Sequence, residues 1–324
     1  MSVFDTPLSR RQFGLLLSAG VAAAVPGIVL ADNDKRTIKH ELGTTEISGK
    51  PQRVVALEFS FVQALNAVDV VPVGITDDNQ PKRIEQLLGK KIDYSSVGTR
   101  LEPNLELVAA LTPDLIIADE LRHSAIYEQL SAIAPTIVLN SWEGNYETIK
   151  SSVVTIADAL GEKAKGEQAL AAHEAVIAGL VAKIPAGEKR RFLLAVANPD
   201  SMSLHSSSSF TGSVFKAMGL TPAIDSSDAV ESGAGIERLV AVNPDVFLVA
   251  TDTGATVFDQ WKSNAAFNNI AAVKAGMVFQ VDRNQFSPFP RIDDSRDDRP
   301  RNPRQGLSGG ISVDDDKRRR SHAA

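Results

Sequence analysis

Leu105-Glu106-Leu107-Val108-Ala109-Ala110-Leu111-Thr112-Pro113-Asp114-Leu115-Ile116-Ile117-Ala118 recurs as Ile236-Glu237-Arg238-Leu239-Val240-Ala241-Val242-Asn243-Pro244-Asp245-Val246-Phe247-Leu248-Val249. In each copy a glutamate opens a helix-period segment, Pro-Asp breaks it, and aliphatic and β-branched residues follow as a buried strand. One pair of copies is too few for a solenoid, which needs about three units to bury its faces. The pattern predicts an α/β protein of two similar lobes with a ligand cleft between them.

Outward from the first copy, the sequence predicts a strand over 53–57, a helix over 59–68 and a second strand over 71–75. A polar connector, the Gly98-Thr99-Arg100 turn, a strand over 115–118, a helix near 126–133 and a strand over 136–139 follow. This alternation is the signature of a parallel sheet covered by helices. The second copy sits among a strand over 192–196, a helix over 213–218 and a last strand over 278–281. Between the lobes, Ile149, Val153, Ile156 and Leu160, then Leu170, His173, Ile177 and Leu180, keep helical spacing on either side of Gly161. A continuous helix over 162–183 would be about 30 Å long. It would act as a strut joining the lobes and limiting their closure, with His173 as a packing residue. The lobes are therefore placed at 32–145 and 184–286, with the helical segment at 146–183.

Ser9-Arg10-Arg11-Gln12-Phe13-Gly14-Leu15 precedes an apolar run to Leu30, the pattern of a twin-arginine signal peptide over 1–31 cleaved before Asp32. The periplasm is the expected compartment. The chain has no cysteine, which excludes disulfides and thiolate metal sites. Its formal charge of -6 argues against nucleic acid as a partner.

No nucleophile elbow, phosphate-cradling loop or dinucleotide fingerprint is present, so no enzyme activity is expected. The run Ser206 to Ser209 beside His205 is adjacency rather than triad geometry, and a polar loop at a lobe edge accounts for it. His40, His123, His173, His205 and His322 show no i, i+4 pair, so no direct metal ligation is expected and any iron must arrive chelated. Tyr94, Tyr127 and Tyr146 could offer an axial oxygen to haem. A haem or other cofactor carrier, or an enzyme of similar two-lobed shape, is the alternative reading. Arg100, and Arg122 with His123, fall at carboxyl ends of predicted parallel strands, where open α/β sheets bind ligands. A guanidinium there presents a fork of donors that fits a carboxylate.

Val97-Gly98-Thr99-Arg100-Leu101-Glu102-Pro103-Asn104-Leu105-Glu106, with Pro113 to Asp119 and Arg122-His123, resembles the helical-backbone periplasmic binding proteins of siderophore ABC importers. The resemblance covers roughly 53–286. It implies a ferric chelate, iron(III) dicitrate foremost, as transported ligand, with no intrinsic cofactor. Arg100, Arg122 and His123 become ligand-binding candidates, as do Glu58 and Phe59 on the first lobe and Ser209, Thr211 and Ser213 on the second. It also implies that Glu106 and Glu237 dock on the permease dimer of an importer with its ATPase subunits, and that the protein is a monomer. The tail over 287–324 departs from the family, whose members continue with an arginine-containing turn and a terminal helix. It reads as disordered or frameshifted: codons for Pro288 to Ser295, read one nucleotide later, can spell Arg-Phe-Arg-Gly-Leu-Met-Thr-Ala.

Overall fold

The computed structural model describes residues 35–251 and 255–283. The expected signal peptide and tail lie outside the described residues. In the first lobe a hairpin, β1 (Lys35–His40) and β2 (Gly43–Ser48), precedes β3 (Val54–Ala56), α1 (Phe59–Ala67), β4 (Gly74–Ile75), α2 (Pro81–Leu88) and β5 (Ser95–Ser96). α3 (Leu105–Ala110), β6 (Leu115–Asp119), α4 (Glu120–His123), α5 (Tyr127–Ile133) and β7 (Thr136–Leu139) complete it. The strands form a parallel sheet in the order β5-β4-β3-β6-β7.

Both faces of this sheet are covered, which is why β3, β6 and β7 are apolar at nearly every position rather than alternating. Successive side chains point to opposite faces. Val54, Ala56, Leu115 and Ile117 accordingly join one core with Phe61, Val62, Leu65, Val153 and Ile156, while Val55, Leu57, Ile116 and Ala118 join another with Val97, Val108 and Leu130. The expected strand over 71–75 shrinks to Gly74–Ile75: Val71 is exposed, and Pro72 has no N–H for a ladder. The presumed polar connector holds α2 and β5.

Two helices follow, α6 (Tyr146–Ala159) and α7 (Lys163–Val181), the latter about 28 Å long. Tyr146 Oη lies 2.9 Å from His173 Nε2, and Lys150 Nζ lies 3.1 Å from Glu174. The start of α6 therefore faces the later part of α7, and the short link at Gly161 makes the pair antiparallel. His173 is buried, as its place in the apolar seam suggested. Among the described hydrogen bonds, one onward to the second lobe comes from α6, whose Tyr146 N–H donates to Ser213 Oγ at 2.8 Å.

The second lobe runs β8 (Arg191–Ala197), β9 (Met202–His205), α8 (Phe210–Ala217), β10 (Thr221–Pro222), β11 (Val230–Ala234), α9 (Ile236–Val242) and β12 (Val246–Thr251). α10 (Val257–Trp261), α11 (Ala265–Asn268), α12 (Ala271–Lys274) and β13 (Val278–Asp282) end the described chain. Its sheet has the order β11-β9-β8-β12-β13, with β10 pairing on β8. β8, β10, β11, β12 and β13 share one direction, whereas β9, set between β8 and β11, runs antiparallel to both, a departure from the repeated βα pattern.

The two sequence copies become α3-β6 and α9-β12, and the match extends further. Thr112 and Asn243, each before a proline, take positive φ of 45° and 48°. Asp114 accepts from Arg53 N at 2.8 Å and Asp245 from Arg191 N at 2.8 Å. The guanidinium of Arg53 caps the carbonyls of Leu111 and Thr112, and that of Arg191 caps those of Val242 and Asn243. Each lobe thus carries the same clamp: an arginine opening one strand satisfies the carbonyls left unpaired at a helix end, and the next aspartate holds that arginine's backbone.

His205, ending β9, has a pKa pushed down to about 4, first by burial and then by the charge of Arg283. A folded pKa below the unfolded one, about 6.5, contributes stability that is complete above pH 6.5 and lost as pH falls toward 4. Thermal melts across this window should drop more steeply for the wild type than for His205→Gln; parallel pH profiles would contradict this assignment.

Candidate functional site

The carboxyl ends of the first lobe's strands converge on a charged cluster. Glu58 follows β3, Asp78 follows β4, Arg100 follows β5, Arg122 lies in α4 just after β6, and Trp142 follows β7. Their ion pairs alternate in sign along one chain. Arg83 lies 3.3 Å from Asp78, Asp78 2.7 Å from Arg100, Arg100 2.9 Å from Glu58, and Glu58 also pairs with Arg122.

Local geometry explains how Arg100 is aimed. Gly98 has φ of 99°, in the region that favours glycine, and a Cβ there would lie 3.0 Å from the Glu102 carbonyl. The turn closes through a bridge between Gly98 and Pro103, and Thr99 Oγ1 accepts from Glu102 N at 3.0 Å. Arg100 N donates to Asp78 Oδ1 at 2.9 Å, while Nε and Nη2 donate to Oδ2 at 3.0 and 2.7 Å. The guanidinium stacks 3.9 Å from the Phe59 ring centre. Burial raises the Asp78 pKa, but the bonds from Arg100 outweigh it and the net shift is downward. Burial likewise lowers the Arg100 pKa, and the neighbouring Glu58 and Asp78 reverse that to a net rise. Both groups stay charged at neutral pH.

Arg122 is placed by Asp119, whose side chain caps α4 by accepting from Arg122 N at 3.1 Å. The other Asp119 oxygen accepts from Ser141 N and Trp142 N at 2.9 and 3.1 Å, which brings the indole to 4.1 Å from the Arg122 guanidinium. Arg100 uses three of its five N–H donors in these contacts, and Arg122 uses one, to Glu58. The remaining donors are the chemistry on offer: two forks able to bind carboxylate oxygens. Leu101, Leu121 and Trp142 flank them as an exposed apolar rim.

The other candidates have different placements. His123 is fully buried; Nδ1 accepts from Asp119 N and Nε2 lies 2.9 Å from the Arg100 carbonyl, so it fastens the Arg100 turn to α4 instead of facing a ligand. Burial lowers its pKa, favouring the neutral tautomer that can make both bonds. Phe59 is part core and part platform, stacked by Arg83 as well as Arg100. Ser209 caps α8 through Gly212 N at 3.0 Å, Thr211 is buried, and Ser213 is spent on Phe210 and Tyr146. Among the described hydrogen bonds, none joins these three to the arginine cluster.

The serine run, expected as a polar edge loop, is mostly buried because Ser206, Ser207 and Ser208 bond to the segment Asp225 to Asp228. Asp78 and Trp142 were missed; the strand-end rule applied to β7 points to the segment that holds Trp142, whereas after β4 it does not separate Asp78 from Asp77 and Asn79. Glu106 and Glu237 are exposed in the first turns of α3 and α9. Among the described residues, no group of His, Asp and Glu is placed to hold a metal ion, and no helix is long and apolar enough to cross a membrane.

A profile of the family described as "Periplasmic binding protein" matches residues 54–284. The chain is 45% identical over 262 residues to the Fe(3+)-citrate-binding protein YfmC of Bacillus subtilis, covering 81% of this chain and 83% of that one. It is 35% identical over 261 residues to the Fe(3+) dicitrate-binding periplasmic protein FecB of Escherichia coli, covering 80% and 86%. Among solved structures, Staphylococcus aureus SirA complexed with staphyloferrin B superposes with a TM-score of 0.65 at 26% identity, over 75% of this chain and 88% of that one.

Proposed function

Because the chain belongs to the periplasmic binding protein family, we propose that it captures a ferric siderophore, iron(III) dicitrate in particular, and delivers it to an ABC importer. The observation that carries the reading is the pair Arg100 and Arg122, held side by side through Glu58 with donors unspent. An anionic, carboxylate-rich chelate matches two such forks. The similarity to proteins named for ferric citrate supports the same ligand. Trp142, stacked on Arg122 and exposed, supplies a fluorescent reporter. Titration with ferric dicitrate should quench its emission to a stoichiometric end point, whereas ferric hydroxamates, catecholates and haem should bind more weakly. Preference for haem over every ferric chelate would replace this reading with that of a haem carrier.

Export by the twin-arginine route, cleavage before Asp32 and action in the periplasm as a monomer belong to the same proposal. So does the division into lobes at 32–145 and 184–286 around the helical segment 146–183, with 287–324 as a divergent tail. The repeated glutamates complete it. Glu106 and Glu237 occupy equivalent exposed positions on α3 and α9, suited to pairing with basic pockets on two permease subunits. The double Glu→Lys variant should bind ferric dicitrate normally yet lose most iron uptake in cells, because like charges would meet at the permease. Wild-type uptake by that variant would remove both residues from docking.

A further inference from the structure

Glu58 is an unusual helix cap. Ser, Thr, Asp and Asn are the residues that usually cap a helix start, yet here a glutamate accepts from Phe59 N at 3.0 Å. The same oxygen accepts from Arg100 Nη1 at 2.9 Å, and the other oxygen accepts from Arg122. Its side chain is only 4% exposed. A capping bond needs one oxygen and no net charge. A buried carboxylate is costly unless paired, and this one is paired with the two guanidiniums that offer donors to a ligand.

We propose that Glu58 is the positioning residue that sets the charge of chelate the site accepts. The inference rests on the ferric-chelate reading above. In the ion chain Arg83–Asp78–Arg100–Glu58–Arg122, Glu58 is the carboxylate that Arg100 and Arg122 share. Glu58 lies between the two forks, so its charge holds them together and also repels any anion they grip. Removing that charge while keeping its shape leaves the forks facing the ligand with one negative charge fewer between them. The gain must scale with ligand charge, because the repulsion removed is Coulombic.

The test is isothermal titration of full-length Glu58→Gln, which retains an acceptor for Phe59 N–H. A second neutral variant, Glu58→Ser, caps helices well in its own right. Three probes are used: ferric dicitrate, a ferric tricatecholate of formal charge 3- and a net-neutral ferric trihydroxamate. Affinity for the two anionic chelates should rise about tenfold, equivalent to about 1.4 kcal/mol, with the trihydroxamate changed by less than about twofold. The difference should shrink as salt is added. An equal change for all three probes, or weaker binding of the anions by both variants, would overturn the assignment and leave Glu58 a structural cap. Should the wild type bind none of the three, the ferric-chelate reading itself falls.

Discussion

Arg100→Ala should lower the unfolding free energy by about 3 kcal/mol and weaken ferric dicitrate binding roughly tenfold to a hundredfold. The stability loss arises because the substitution takes a guanidinium partner from two carboxylates at once. Asp78 would keep Arg83 and the backbone N–H of residue 100, and Glu58 would keep Arg122 and the Phe59 N–H. Breaking a buried pair usually costs about 3 to 5 kcal/mol; the remaining partners place this case at the lower end. Loss of the stack on Phe59 adds to it. Arg122→Ala should destabilise less, since Glu58 would still hold Arg100. Arg100→Lys restores the charge but not the planar fork, so it should recover part of the stability and little of the affinity. Urea unfolding separates the two effects from calorimetry on the folded protein. A wild-type midpoint together with wild-type affinity would exclude Arg100 from both roles.

Gly212→Ala should destabilise the protein by about 3 kcal/mol, the upper end of the usual cost of overpacking. A Cβ at this position would lie 1.9 Å from the Ser206 carbonyl oxygen and 2.9 Å from the Ser207 Cα. These are backbone atoms and cannot swing aside. They belong to the turn whose Ser209 caps α8, and the same helix start carries Ser213, which receives the bond from Tyr146. The variant must therefore shift the first turn of α8 or break its seat on α6. Gly179→Ala is the control: that glycine lies inside α7 with nothing within 4 Å of the added carbon, so helix propensity alone should stabilise by up to about 1 kcal/mol. Equal melting temperatures for Gly212→Ala and wild type would refute the packing argument.

Much of this was legible because long, regular segments announce themselves. The duplicated segment gave helix and strand correctly in both lobes, and the strand over 136–139 is aliphatic or β-branched at every position. Elements without a period were invisible. β5 has two residues, and β11 contains Glu231, Ser232 and Gly233 on an exposed edge. Arg100 could be found from the Gly98-Thr99 turn that leads into it. Asp78 could not be told from an ordinary polar turn, since Asp77, Asp78 and Asn79 look alike in sequence while only Asp78 meets Arg100. The part played by His123 depends on Arg100 coming within reach of its ring, a contact between residues 23 apart that no local pattern encodes.

The duplicated arginine clamp also sets an order of events while the chain is being made. Arg53 finds Asp114 after 61 residues, and Arg191 finds Asp245 after 54, so neither lock reaches into the other lobe. Domains generally fold as units during synthesis, the N-terminal one first. The first lobe can therefore close its lock before the ribosome has begun the second, and its strand-end arginines are already in position when the second lobe emerges. Assembly then proceeds as two short-range searches rather than one long one, which keeps unpaired strand edges exposed for less time.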